Sequence, residues 1–249
     1  MIILKSPPEI EKIRKACLIV AEILERLKEH IRPDVTTWDL NVLSEELAKK
    51  QGAKPAFQGY QGFPYALCTS INEEVVHGMP SKRRHLKEGD IISLDFGVVI
   101  DGYYGDAAIT VPVGSITHEA ETLCRVTENA LYEGIKQIIV GNRLSDISHA
   151  IQEFVENNNF SVVRDFVGHG IGQNLHESPQ IPNFGPPGKG VKLKPGMVLA
   201  IEPMINQGEP DVEILSDQWT AVTLDRQLSA HFEHTVAVTD NGPDILSRE

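Results

Sequence analysis

The sequence predicts an α+β fold, with helices packed on one side of a largely antiparallel sheet. Two observations carry this. Amphipathic helical stretches come in pairs, a long one, a break and a shorter one, each pair followed by strands. That order occurs twice, which points to a weak internal duplication and a pseudo-two-fold arrangement. In addition, two apolar, β-branched runs flank Asp101-Gly102 inside the stretch Ile91–Thr110, and Asp-Gly suits a tight two-residue hairpin turn. At 249 residues the chain can build one large domain or two small ones with ample core.

The elements follow in order. Ser6 to Glu9 reads as a capping box with prolines in the first helical turn, where they are tolerated. Ile10, Ile13, Cys17, Val20, Leu24, Leu27 and Ile31 then recur at the spacing of one helical face, and Arg32-Pro33-Asp34 breaks it. A second helix is expected from about Trp38 to Lys50, capped by Thr37, burying Leu40, Leu43 and Leu47 and ended by Gly52. Ala53 to Gly89 is irregular, with one strand near Leu67–Ile71. After the hairpin, a long helix spans roughly Thr117–Val140, aligning Leu123, Thr127, Leu131, Ile135 and Ile138 up to Gly141. A shorter one, about Asp146–Asn157, buries Ile147, Ile151 and Phe154. Strands are expected at Ser161–Val167, Met197–Glu202, Asp217–Thr223 and His231–Thr239.

Composition narrows the function. A formal charge of −12 argues against a dominant nucleic-acid-binding role, which calls for a basic balance. Lys82, Arg83, Arg84, His85 and Lys87 form a local basic cluster that reads as a solvated loop face. Cys17, Cys68 and Cys124 lie far apart without CxxC spacing, which fits a reducing compartment better than a disulfide framework or zinc knuckle. The apolar run at the amino terminus is too short for a signal peptide and no segment reaches membrane-spanning length, so a cytoplasmic protein is expected.

The hairpin also carries chemistry. With Asp101-Gly102 as the turn, Ile100 pairs with Tyr103, Val98 with Gly105 and Gly97 with Asp106. Asp95 then shares a face with Gly97 and Asp106, so two carboxylates converge in what is otherwise core. A bound cation relieves that repulsion; the alternatives are a solvent-facing Asp or a bulge that spoils the register. Further on, FVGHGIGQNLH sets three glycines around His169, letting backbone or ligand approach the imidazole, with His176 seven residues later. A glycine-rich loop with incidental histidines is the competing reading. Glu202 ends the apolar run MVLAIE, and Glu233 in HFEHTVAVT shares a face with His231 and Thr235. Four carboxylates with few nearby cations are hard to explain as ion pairs. Together with one neutral imidazole they carry about −4, which two divalent cations balance; such ligands suit Mn, Fe, Co or Zn.

The ordered set Asp95, Asp106, His169, Glu202 and Glu233, with GHGIG and IEPM around it, resembles the type I methionine aminopeptidases of the pita-bread fold. The resemblance runs over essentially the whole chain and implies a single catalytic domain over residues 1–249. It implies that those five residues bind two divalent metal ions, and that the enzyme removes the N-terminal methionine from nascent proteins and peptides whose second residue is small. In the mechanism it implies, a metal-bridging hydroxide attacks the scissile carbonyl, Glu202 acts as general base, and His77 and His176 donate to developing charge. The methionine pocket maps onto Tyr60, Phe63, Cys68, His77 and Trp219, with Leu175 and His176 also expected to contact substrate, although without the family the aromatic group reads as ordinary core. Leu175 departs from relatives that carry an aromatic there, which leaves the pocket shape beside it open.

The span from His169 to Glu202 has no room for the helical insertion of type II enzymes, and no amino-terminal zinc-binding extension is expected. The expected partner is the amino-terminal peptide of nascent proteins, with ribosome contact through Lys82–Lys87 left open; no membrane, no specific nucleic acid and a monomer are expected. Two rivals stand beside this reading. Proline-directed peptidases of the same fold generally carry a whole domain ahead of the catalytic one, and Asp95 falls too early for that. Metal-free pita-bread modules that bind peptides have lost ligands, whereas this chain keeps all five.

Overall fold

The computed structural model describes residues 2–248. Four α-helices, α1 (Pro7–Lys28), α2 (Thr37–Lys50), α3 (His118–Lys136) and α4 (Leu144–Asn157), back a nine-stranded antiparallel sheet. Six of its strands position the site: β1 (Leu67–Ile71), β2 (Ile91–Ile100), β3 (Tyr103–Pro112), β4 (Gly168–Gly170), β5 (Val198–Ile201) and β6 (Glu233–Thr239). Across the sheet they run β1, β2, β3, β6, β5, β4, so β6 joins the two halves.

The hairpin has the expected register, with Ile100 opposite Tyr103 and Gly97 opposite Asp106. Asp101 and Gly102 both take positive φ, 53° and 78°, the conformation that a turn matching the strand twist requires. Alternation then sorts the faces. Leu94, Phe96 and Val98 pack with Val20, Ile23 and Leu40 of α1 and α2. Leu199, Ile201 and Val236 pack with Leu123, Leu131, Ile147 and Ile151 of α3 and α4. Each helix pair thus backs one half of the sheet from the same side. Burial of each such Leu or Ile stabilises the fold by about 1.5–3 kcal/mol. The opposite face carries the polar residues.

The element ends depart from expectation for local reasons. The cap of α2 is Thr36, whose hydroxyl accepts from the Asp39 N–H at 3.1 Å while the Asp39 carboxylate takes the Thr36 N–H. Its buried face includes Asn41 and Ser44, with Leu43 and Leu47 only half-buried. Asn41 turns inward because its Oδ1 accepts the N–H groups of Ala66 and Leu67 at the start of β1. Helix α1 stops at Lys28, short of Ile31. Helix α3 stops at Lys136, where Gln137 and Ile138 bond back three residues and tighten the turn; Ile138 stays buried and Val140 is exposed. The stretch Ser161–Val167 forms only a two-residue strand at Ser161–Val162. Asp217–Thr223 shortens to Ala221–Thr223, because the Asp217 carboxylate takes the N–H groups of Trp219 and Thr220 at 2.9 Å and makes a turn.

Helix α1 lies directly on β3 at Gly105, where a Cβ would come within 2.4 Å of the Cys17 nitrogen and 2.5 Å of the Ala16 carbonyl carbon. Backbone cannot step aside as a side-chain tip can, so Gly105→Ala is expected to destabilise the protein by about 1–3 kcal/mol, the range for overpacking. Urea unfolding checks this; an unchanged midpoint would show that α1 does not seat on the strand.

Candidate metal centre

On the open face of the sheet the side chains line up in rows. Asp95 on β2 faces Ala108 on β3, which faces Glu233 on β6. One row further on, Thr235 on β6 faces Ala200 on β5, which faces His169 on β4. Asp106 stands opposite Gly97, and Glu202 follows β5 two residues after Ala200. Polar side chains at the row ends therefore lean over Gly97, Ala108 and Ala200, which are too small to fill the space between them. All five expected ligands line one cavity.

Ligand atoms of Asp106, His169 and Glu233 lie within 4.8 Å of one another. Glu202 joins them, its Oε1 3.5 Å from His169 Nε2. His169 Nδ1 lies 2.9 Å from the Gly170 carbonyl oxygen. A carbonyl only accepts, so Nδ1 carries the proton and neutral Nε2 offers its lone pair. Burial holds this imidazole down to about 3. The glycines flanking His169 serve the sheet. A Cβ on Gly168 would sit 2.4 Å from the Ala200 carbonyl oxygen, and one on Gly170 equally close to that of Ser178.

Charge balance is what this cluster lacks. Burial pushes Asp95 up to about 7. Burial first, and then neighbouring carboxylates, hold Asp106, Glu202 and Glu233 well above the ordinary range. Asp95 Oδ1, Asp106 Oδ1 and Glu233 Oε1 are buried with no hydrogen-bond partner among the described residues. Among the described residues no Lys or Arg lines the cavity. Unpaired buried carboxylates cost several kcal/mol each. Orphaned oxygens, an imidazole with a free lone pair and no competing cation fit a divalent metal site.

Around this floor stand the other expected residues. Tyr60, Phe63, Cys68, Leu175 and Trp219 wall the cavity, with His77 and His176 at its border. Leu175 is buried among them. Phe63 meets Trp219 edge-on at 5.2 Å. His77 adopts φ +61°, strained for a non-glycine residue and typical of functional positions. Its ring is held edge-to-face between Phe166 at 5.5 Å and Trp219 at 6.4 Å. A second cleft, lined by Asp165, Phe166 and Gln180, shares His77, Asp95, His169, His176 and Glu202 with the first.

Phe166 in the second cleft, and Phe57 and Gln61 on the cavity wall, carry no sequence signal that marks them. In the strand pattern His231 is only a neighbour of Glu233. His231 is buried, and its Nε2 lies 3.8 Å from Glu202 Oε2 with no hydrogen-bond partner. A buried Lys5–Glu177 ion pair, equally unmarked in the sequence, ties the amino-terminal strap to the loop bearing His176. Only chain packing brings residues so distant in sequence together.

A helix-backed antiparallel sheet with carboxylates and an imidazole gathered on its open face defines the pita-bread class of metal-dependent hydrolases. Residues 11–240 match the model of metallopeptidase family M24. The chain is 56% identical over 248 residues to methionine aminopeptidase 1 of Bacillus subtilis, covering 100% of both chains. Its structure superposes on that of the methionine aminopeptidase of Thermotoga maritima with a TM-score of 0.99 at 53% identity, again over 100% of both. The chain belongs to metallopeptidase family M24, in its methionine aminopeptidase branch. The prolidase of Pyrococcus horikoshii shares the fold alone, with a TM-score of 0.81 at 23% identity over 99% of this chain and 63% of that one.

Removing one buried charge should have opposite effects with and without metal. In chelator-treated protein, Glu233→Gln is expected to raise the melting temperature, by roughly 2–4 °C per kcal/mol of repulsion relieved. Added Mn(II) should then stabilise the wild type more than the variant. Equal stabilisation of both by metal, read by thermal unfolding, would count against Glu233 as a ligand.

Proposed function

We propose that this enzyme removes the amino-terminal methionine from peptides and nascent proteins whose second residue is small. The observation that carries the reading is the meeting of two cavities at one charged floor. An aromatic pocket adjoins an open polar cleft, and His77, Asp95, His169, His176 and Glu202 line the border between them. An apolar first side chain fits the pocket, the rest of the peptide leaves along the cleft, and the scissile bond falls at the border. The names of relatives that are more than half identical over their full length support the same reading.

In this reading Asp95, Asp106, His169, Glu202 and Glu233 hold two divalent cations, drawn from Mn, Fe, Co and Zn. When bound, the cations supply the Lewis acidity that makes attack of water on a peptide carbonyl feasible at neutral pH. Glu202, half-buried beside His169, takes the proton of the attacking water and passes it to the leaving amine. His77 and His176 donate hydrogen bonds to the carbonyl oxygen as it gains charge. The pocket of Tyr60, Phe63, Cys68, Leu175 and Trp219 receives the methionine side chain. Its thioether is soft and unbranched and suits an aromatic wall beside a buried thiol; a β-branched side chain collides there. The free amino terminus of the substrate binds at the carboxylate floor, so the site trims ends and spares internal bonds.

All three cysteines are free thiols, and no helix among the described residues is long and apolar enough to cross a membrane. Free thiols fit a reducing compartment, and in this reading the enzyme works in the cytoplasm, as a monomer and single catalytic unit. A transient contact with the ribosome through Lys82–Lys87 fits that setting.

A tripeptide panel tests the reading. Met-Ala and Met-Gly peptides should release methionine, Met-Lys and Met-Glu peptides should be spared, and norleucine should nearly replace methionine, since apolar pockets discriminate by only about 1–3 kcal/mol per methylene. Glu202→Gln should lower turnover by about 10²–10⁴-fold. Release of any residue that precedes proline, with no preference for methionine, would overturn the assignment.

A further inference from the structure

We propose that Tyr60, beyond lining the pocket, is a positioning residue that fixes the tautomer of His176: its phenol donates to Nδ1 and thereby keeps the imidazole proton on Nε2. The proposal rests on the reading of His176 as a hydrogen-bond donor to the scissile carbonyl oxygen.

The geometry is direct. Tyr60 Oη lies 3.0 Å from His176 Nδ1. The two rings meet edge-to-face at 5.1 Å and 78°. On its other side the His176 ring packs against His169 at 4.3 Å and 79°, so it is clamped between two rings. Tyr60 is itself held in a tight knot. Its N–H bonds the Phe57 carbonyl at 2.9 Å, its carbonyl takes the Phe63 N–H at 2.9 Å, and Gly59 N–H closes on Phe63 at 2.7 Å. Among the described residues the Tyr60 hydroxyl has no other hydrogen-bond partner.

A neutral imidazole has one donor and one acceptor nitrogen, and a phenol hydroxyl can play either part. Were Tyr60 to accept, Nδ1 would carry the proton and Nε2 would turn a lone pair toward a carbonyl oxygen that is gaining negative charge. Were it to donate, Nε2 carries the proton and faces that oxygen as a donor. The phenol is the stronger acid of the two, which favours donation. An imidazole that takes a hydrogen bond at Nδ1 is neutral with its proton on Nε2, and that tautomer decides which way it faces the carbonyl oxygen. His169 beside it is fixed in the opposite sense: the Gly170 carbonyl accepts from its Nδ1, which leaves Nε2 with a free lone pair.

Tyr60→Phe is the test, because it removes one oxygen and keeps the ring that lines the pocket. In the zinc-loaded enzyme kcat for Met-Ala-Ser should fall about tenfold or more, with KM within about twofold. In a His176→Ala background the same substitution should have no further effect on kcat. Nitrogen-15 spectra of imidazole-labelled, zinc-loaded protein read the tautomer without reference to activity, the His176 signals being identified by their loss in His176→Ala. Protonation at Nε2 in the wild type, lost or mixed in Tyr60→Phe, supports the proposal. Protonation at Nδ1 in the wild type, or a tautomer indifferent to Tyr60→Phe, overturns it. So does an undiminished kcat in Tyr60→Phe, or a fall that persists without His176. Full turnover in His176→Ala would instead remove the donor role assigned to His176, while the spectra still decide the hydrogen bond.

Discussion

Four carboxylates gathered on one face of a sheet repel one another, and the rest of the structure is arranged around holding them there. Register does most of this work. Asp95, Ala108 and Glu233 stand in one row across three strands, and Thr235, Ala200 and His169 in another. A slip of one residue in any strand would turn a carboxylate into the helix-backed core, where apolar contacts would be lost as well. The hydrophobic pattern of the back face therefore enforces the polar constellation of the front. Folding free energy from one face holds charges together on the other, and a divalent cation is what makes the arrangement favourable in itself.

The same division explains which residues are placed by strands and which by loops. Four of the five expected metal ligands, Asp95, Asp106, His169 and Glu233, sit on paired strands, with Glu202 one residue past a strand end. Of the groups assigned to the substrate, His77, His176 and Trp219 sit on turns and loops and Tyr60 opens a 3₁₀ turn, while Cys68 lies on β1. They are held instead by particular contacts: His77 between Phe166 and Trp219, His176 between Tyr60 and His169. Charge is fixed by backbone hydrogen bonding, and recognition by side-chain packing.

That division also marks how far the sequence could be read. The hairpin was legible down to residue pairs, because Asp101-Gly102 fixes the turn and alternation fixes the faces. The helices were legible from their periodicity, but their ends were not. Thr36 rather than Thr37 caps α2, and Asn41 turns inward to serve a strand far along the chain, a tertiary demand that helical spacing does not encode. Short strands such as Ser161–Val162 fell below what alternation can resolve. The expected ligand set came from resemblance to a family, and the structure brings its five residues to one cavity. The contacts that orient it, Phe166 on His77, His231 beside Glu202, Lys5 on Glu177, join distant residues of ordinary type, and only folding shows them as partners.

Strand β6 pairs with β3 on one side and β5 on the other, yet it comes after both in the chain. During synthesis each half can collapse on its own helix pair while the seam between them stays open. The seam closes only when β6 emerges, and β6 brings Glu233 with it. Closure of the sheet and completion of the charged cluster are thus one event in time. In the proposed site, where Glu233 is a ligand, the cluster stays incomplete until the last long strand of the chain has been made.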